Sequence, residues 1–160
     1  MELGEPDPAP HPEIRNSSLF NSRDFFVITS FDEARVTSRL FANNPERDVI
    51  LNGLENVDYE QSFEIVVWHG VAPDIRFTLD IKRIIQQGAT LRVVVEAYNR
   101  CNRFPVVLLA CPYTPVETYP MRILSVSYSD LPESGFYTIE FVVNGTVEKT
   151  IRRVLPPESE

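Results

Sequence analysis

The sequence predicts an all-β protein: a single sandwich of about eight or nine short, mostly antiparallel strands with at most one short helical turn. Three observations predict this class. Apolar and polar residues alternate along much of the chain, which is the period of a strand with one buried face. The alternating runs recur at a spacing of about ten residues, and single glycines stand at the turns between them. No segment shows a convincing long helix.

The first three strand candidates lie in the N-terminal third of the body. "DFFVITSF" begins at Asp24, "RVTSRLFA" begins at Arg35, and "RDVILNGL" begins at Arg47. The third run ends at the turn-like pair Asn52-Gly53. We therefore expect three strands before residue 55.

The central part supplies three more candidates. "SFEIVVWHG" from Ser62 has apolar residues on both faces, which predicts a strand covered on both sides: Phe63, Ile65 and Val67 on one face, Val66 and Trp68 on the other. "DIRFTLDIKRI" from Asp74 alternates cleanly, and "IKRIIQQG" is the place for the one helical turn before Gly88. "TLRVVVEAY" from Thr90 resumes the alternation.

Two further strands precede the C-terminal hairpin. "FPVVLLAC" from Phe104 has strand length, and "MRILSVSYS" begins at Met121. Between them lies the loop "CPYTPVETYP", residues 111–120, which is rich in proline and tyrosine.

The hairpin in "FYTIEFVVNGTVEKTIRRVL", residues 136–155, admits two registers. A two-residue type I′ turn at Asn144-Gly145 would pair Glu140 with Lys149, but it would put the apolar residues of the two strands on opposite faces. A three-residue loop, residues 143–145, would match apolar residues instead: Phe141 with Val147, and Tyr137 with Ile151. Burying a Val or Ile side chain is worth about 1.5–3 kcal/mol, against about 0.2–1 kcal/mol for a cross-strand charge pair. We therefore predict the three-residue loop, and a Glu140–Lys149 pair would contradict it.

The stretch "LPESGFYTIEFVVNGTV" resembles the closing hairpin of immunoglobulin-like and fibronectin-type sandwiches. It is also similar to small bacterial β-sandwich proteins that end in a Pro-Glu-x-Gly-x-Tyr run and an Asn-Gly or Asp-Gly turn. The resemblance implies an immunoglobulin-like sandwich, and it carries no site residues. The Cys…Trp…Cys framework of true immunoglobulin domains is missing, because Trp68 precedes Cys101 and Cys111.

Charge and proline divide the chain into three parts. The formal net charge is −8, and residues 1–18 carry −3 of it together with prolines at alternate positions, 6 to 12. Such a segment is typical of a flexible acidic arm. We expect the sandwich to span 19–155 and a short tail to follow in 156–160. An acidic protein without a basic stripe is a poor candidate for binding nucleic acid or an anionic membrane.

Several observations favour a cytoplasmic protein without a cofactor. "MELGEPDPAP" has no basic n-region and no apolar h-region, so we expect no signal peptide. The longest apolar run is far shorter than the roughly 18 residues of a membrane helix. Cys101 and Cys111 are expected to be reduced and buried, and their spacing does not fit a zinc finger or ribbon. We predict neither a metal site nor catalytic residues.

The candidate contact residues fall in two places. Tyr113, Pro115 and Tyr119 lie in the Tyr/Pro loop, where stiff aromatic residues offer contact area at low ordering cost. The alternative is a tyrosine pair packed over one end of the sandwich. Trp68 and His69 stand at a strand end, and the alternative for His69 is a histidine bonded to a carbonyl.

The sequence thus favours a non-catalytic protein-interaction module, an adaptor or assembly subunit, with another protein as partner and possible self-association. One alternative is a viral or phage structural protein, although the basic arm of a genome-packaging shell is missing. The other is a hydrolytic or small-ligand-binding sandwich whose site would use His69 and nearby carboxylates.

Overall fold

The chain forms seven strands and two helices in the part that the structure, a computed structural model, describes: residues 23–41, 47–70, 72, 77–99, 118 and 120–158. In chain order the elements are β1 (Asp24–Ile28), α1 (Phe31–Arg39), α2 (Arg47–Glu55), β2 (Ser62–Trp68), β3 (Phe77–Gln87), β4 (Thr90–Asn99), β5 (Met121–Ser127), a 3₁₀ turn (Tyr128–Asp130), β6 (Gly135–Val143) and β7 (Thr146–Leu155). The protein is mostly β, as predicted. The predicted arm, residues 1–18, and the strand candidate at Phe104 lie outside the described residues.

The strands form two sheets. One has three strands in the order β1-β2-β5, and the other has four in the order β3-β4-β6-β7. All of these pairings are antiparallel except β4 with β6, which run parallel. In these orders β1 and β7 each stand at one edge of their sheet, and both edges contribute to the site described below.

Two hydrophobic clusters hold the elements together. The larger one draws its buried side chains from both sheets, including Phe25, Phe63 and Ile65 from the three-stranded sheet and Val93 and Phe141 from the other. The smaller one packs α1 and α2 against the three-stranded sheet, and its buried members are Ile28, Ala34, Phe41, Ile50, Leu54 and Val66. Strand β2 belongs to both clusters, because its odd-numbered apolar residues face the larger one and Val66 faces the smaller one. The prediction that this strand is covered on both sides is confirmed.

Two helices stand where strands were predicted, and the predicted helical turn is absent. The run at Arg35 lies within α1, and the run at Arg47 forms α2. "IKRIIQQG" continues β3 to Gln87 instead of turning into a helix. The expectation of at most one short helical turn is therefore wrong. No helix in the described ranges is both long enough and apolar enough to cross a bilayer.

The predicted three-residue hairpin loop is also wrong. Asn144 and Gly145 both have positive φ, 47° and 84°, which is the two-residue type I′ turn. Val143 pairs with Thr146 and Val142 with Val147, but a bulge then shifts the register so that Phe141 lies opposite Lys149. The shift aligns Ile139 with Ile151, so the apolar residues share a face without the longer loop. Glu140 lies opposite Thr150, not Lys149.

Candidate functional site

Of the Tyr/Pro loop, residues 111–120, the structure describes only Thr118 and Pro120. Tyr113, Pro115 and Tyr119 all fall within the undescribed part of 100–119. Their role in partner contact stays a prediction.

Trp68 is part of the packing between β2 and the helices. Its ring stands edge-on to the Phe41 ring, with centroids 5.0 Å apart. The indole also packs against the helix-side cluster with Phe26 and Met121. The structure therefore places Trp68 as a half-buried support of this layer.

His69 follows Trp68 and is 4% exposed. Its backbone N–H donates to the carbonyl of Pro120 at 2.9 Å. Burial, assisted by the positive charge of Arg23, lowers the pKa of its imidazole from 6.5 to about 4. The ring is neutral at pH 7 and faces the interior.

A groove that the sequence did not predict lies along the edge of β1 opposite β2. It has a volume of about 570 Å³ and is open to solvent. Three elements form it: β1 is the floor, α1 is one wall, and β7 is the other. We call it the β1 groove, and its lining residues are Phe25, Phe26, Val27, Asp32, Glu33, Val36, Thr37, Lys149, Ile151 and Arg153.

The floor is the edge of β1 that pairs with no other strand among the described residues. The backbone N–H of Phe25 donates to Asp24 Oδ1 at 2.8 Å, and its carbonyl accepts from Lys149 Nζ at 3.0 Å. The N–H of Thr29 donates to Glu33 Oε2 at 2.8 Å. These groups therefore point away from β2, toward the groove. Alternate residues of an antiparallel strand point their backbone N–H and C=O to the same side, so the backbone groups of Val27 also point to this edge.

The α1 wall is positioned by a cap at the helix start. Ser30 Oγ accepts from the N–H of Glu33 at 3.2 Å, and the Glu33 carboxylate turns back to the N–H and hydroxyl of Thr29. This Ser-x-x-Glu pattern is a variant of the capping box. It places Asp32 and Glu33 in the first turn, and Val36, which is 61% exposed, follows one turn later. The wall is acidic with an apolar patch.

The β7 wall is basic, and ion pairs link it to β1 and to the α1 wall. Lys149 Nζ lies 2.6 Å from Asp24 Oδ1, and an Arg153 guanidinium nitrogen lies 3.4 Å from Glu33 Oε1. Ile151 lies between these two cations on the same side of the strand. All four charged side chains are between 36% and 42% exposed, so each pair contributes little to stability, about 0–1 kcal/mol.

Part of this site could have been recognised in the sequence. Ser30 followed by Glu33 signals a helix start, and the alternation Lys149, Ile151, Arg153 puts two cations on the face that carries the apolar residues. The register hid the second signal, because the bulge at the hairpin decides which β7 residues face inward. The meeting of β1 with β7, which are 125 positions apart at the Asp24–Lys149 contact, is a property of the fold alone.

The β1 groove combines apolar surface, backbone groups of the β1 edge and paired charges of both signs. Among the residues that the structure describes, no group of three or more His, Cys, Asp or Glu side chains is arranged to hold a metal ion.

Comparisons with known proteins give no relative. No protein-family model matches the chain, and neither a curated protein nor a solved structure matches it.

Proposed function

We propose that the protein is a non-catalytic interaction module that binds a segment of another protein in the β1 groove. The observation that carries the proposal is the groove itself: an apolar floor, formed by the edge of β1, between two walls of opposite charge. A volume of about 570 Å³ is within the usual range of ligand sites, about 300–1,000 Å³. Val36 and Ile151 supply the apolar contact that gives affinity, and the charged walls supply orientation.

The proposal includes an immunoglobulin-like β-sandwich as scaffold and the cytoplasm as compartment. The sandwich is supported by the larger hydrophobic cluster, which takes buried side chains from both sheets. The immunoglobulin-like character rests on the resemblance of the C-terminal hairpin, and the compartment rests on the sequence. A rigid two-sheet body that presents a groove at one edge is a common design for binding modules.

The enzymatic alternative loses support at its central residue. It required His69 to meet a substrate, but His69 is 4% exposed and its pKa is lowered to about 4. In the β1 groove the carboxylate of Glu33 is engaged by Arg153, and Lys149 is paired with Asp24 beside the groove. These features favour recognition over proton transfer.

The experiment is a selection of short random peptides displayed on phage against the wild-type protein, followed by binding measurements on two variants. Val36→Arg places a long cation in the groove, whereas Val49→Arg makes the same change on α2, where Val49 is 75% exposed and does not line the groove. We expect Val36→Arg to weaken the selected peptides by about tenfold or more, which corresponds to ~1.4 kcal/mol, and Val49→Arg to leave them unchanged.

Circular dichroism and thermal unfolding serve as the fold control, because both valines are exposed and both variants should melt like the wild type. Peptides that bind the wild type and both variants equally would show that the β1 groove is not the binding surface, and the proposal would then be wrong.

A further inference from the structure

We propose that the segment bound in the β1 groove is an extended strand of the partner protein, which adds to β1 as a new edge strand of the three-stranded sheet. This inference rests on the function proposed above and specifies its binding mode. It also specifies the partner's chemistry: a segment in which basic and acidic residues occupy alternate faces, with apolar residues at the centre.

The backbone groups along the β1 edge favour the addition of a strand. The backbone N–H and C=O of Phe25 and the N–H of Thr29 point into the groove, and within the described part of the chain they are bonded by side chains, not by a neighbouring strand. Side chains that cover an edge are a common protection against unwanted strand pairing. The Phe25 carbonyl is covered by Lys149, whose flexible chain can move aside when a backbone N–H takes its place.

The position of the groove relative to the sheet also favours the addition of a strand. A strand added to β1 lies about 4.8 Å from it in the plane of the sheet. The groove lies along that edge, with α1 on one side of the sheet plane and β7 on the other. Because successive side chains of a strand point to opposite faces, the added segment would direct alternate residues to the α1 wall and to the β7 wall.

The charges of the two walls specify the charge pattern of the added segment. The α1 wall presents Asp32 and Glu33, so the side chains that face it should be Lys or Arg; the β7 wall presents Lys149 and Arg153, so the opposite face should carry Asp or Glu. Val36 and Ile151 favour an apolar residue on each face between the charges. The Arg153–Glu33 pair that joins the two walls and the Lys149–Asp24 pair beside it are partly exposed, so exchanging them for pairs with the partner costs little. A segment with the reverse pattern would meet like charges on both walls.

The test uses a peptide from the selection described above, synthesised with a methyl group on one backbone nitrogen at a time and titrated against the wild-type protein. N-methylation removes the N–H donor that an added strand needs. We expect a period of two along the peptide: methylation at alternate residues weakens binding by about tenfold or more, and methylation at the residues between them has little effect.

A second measurement uses charge reversal on β7. Lys149→Glu should weaken a peptide that carries an acid toward this wall by about tenfold, and replacing that acid by lysine should restore binding. Arg152→Glu is the matched control, because Arg152 lies on the opposite face of β7 from Lys149 and does not line the groove. The methylation series uses unaltered protein, so the test stands even where a variant folds poorly.

Each contrary outcome identifies what is wrong. Peptides that depend on Val36 but tolerate methylation at every position would overturn strand addition and leave the proposed function standing. Peptides that ignore Val36→Arg would overturn both. A dimer that forms with rising concentration in analytical ultracentrifugation, and is lost in Val36→Arg, would identify a second copy of the chain as the occupant and overturn the proposal of a separate partner.

Discussion

His69 and Glu64 show, at the scale of single residues, how burial sets the charge states of this protein. Both side chains stand on or next to β2 and are nearly inaccessible, with 4% and 2% of their surfaces exposed. Burial lowers the pKa of the histidine to about 4, and it raises the pKa of the glutamate, against which a hydrogen bond with the Ser125 side chain acts. In each case the neutral form is favoured, because a low-dielectric interior penalises charge.

We expect the His69 imidazole to make the protein less stable in mild acid. Its pKa is about 6.5 in the unfolded chain and about 4 in the fold, so between these values the unfolded state binds more protons. The free energy of unfolding should therefore fall as pH falls, by about 2 kcal/mol from pH 7 to pH 5 through this residue. Urea unfolding of wild type and His69→Gln at several pH values checks this, since the variant lacks the titration. An identical pH dependence in the two proteins would show that His69 is not buried in its neutral form.

Helix α1 shows, at the scale of elements, why local sequence was misleading. Its buried residues are the small Ala34, Thr37 and Ser38, whereas Val36 and Leu40 are each 61% exposed. Apolar residues in 35–42 alternate as they would in a strand, whereas the residues that are actually buried have the spacing of a helix face. Tertiary packing overrode the pattern: the helix packs on the sheet through small residues, and the exposed Val36 is left to line the groove.

The start of α1 was nevertheless readable, and it can be tested. Ser30 Oγ caps the N–H of Glu33, so Ser30→Ala should remove this hydrogen bond and lower the free energy of unfolding by about 1 kcal/mol. Ser134→Ala, at an exposed site in the loop before β6, is the control and should change it little. Chemical denaturation of the three proteins measures the difference. Equal losses, or no loss at Ser30, would mean that the cap does not hold the helix start.

The hairpin of β6 and β7 was predicted in its existence but not in its register. The type I′ turn and the matching of apolar residues across the two strands are compatible, because the bulge between Phe141 and Val142 allows both. The turn is also anchored from outside: the Asn144 side chain accepts from the N–H of Ala97 at 3.0 Å and donates to its carbonyl at 2.8 Å. Those contacts are with β4, which is parallel to β6, and no local pattern in the hairpin contains them.

At the scale of the whole molecule, the sequence predicted the mostly β content and most strand positions. Alternating burial is explicit in β4, whereas β2 is buried on both faces and was recognised by its continuous apolar run. The order of strands within each sheet was not predictable from those patterns. The β1 groove follows from that order, which leaves β1 and β7 at sheet edges and brings Asp24 to Lys149. A groove made of distant residues thus depends on topology, which alternation does not encode.

Strand β2 joins the two hydrophobic clusters, and this predicts that the helix layer and the two sheets unfold together. Phe63→Ala, at a fully buried site in the larger cluster, should cost about 3–5 kcal/mol. The single tryptophan, Trp68, reports on the helix-side cluster through its contact with Phe41. The free energy of unfolding measured by its fluorescence should therefore fall by the same amount as that measured by far-ultraviolet circular dichroism. Phe136→Ala, at a site 77% exposed, is the control and should stay within about 0.5 kcal/mol of wild type. If Phe63→Ala moved the dichroism midpoint and left the fluorescence midpoint unchanged, the helices would unfold as a separate unit. The α1 wall of the β1 groove could then open without loss of the sheets, whereas coincident transitions mean that floor and walls form and disappear as one structure.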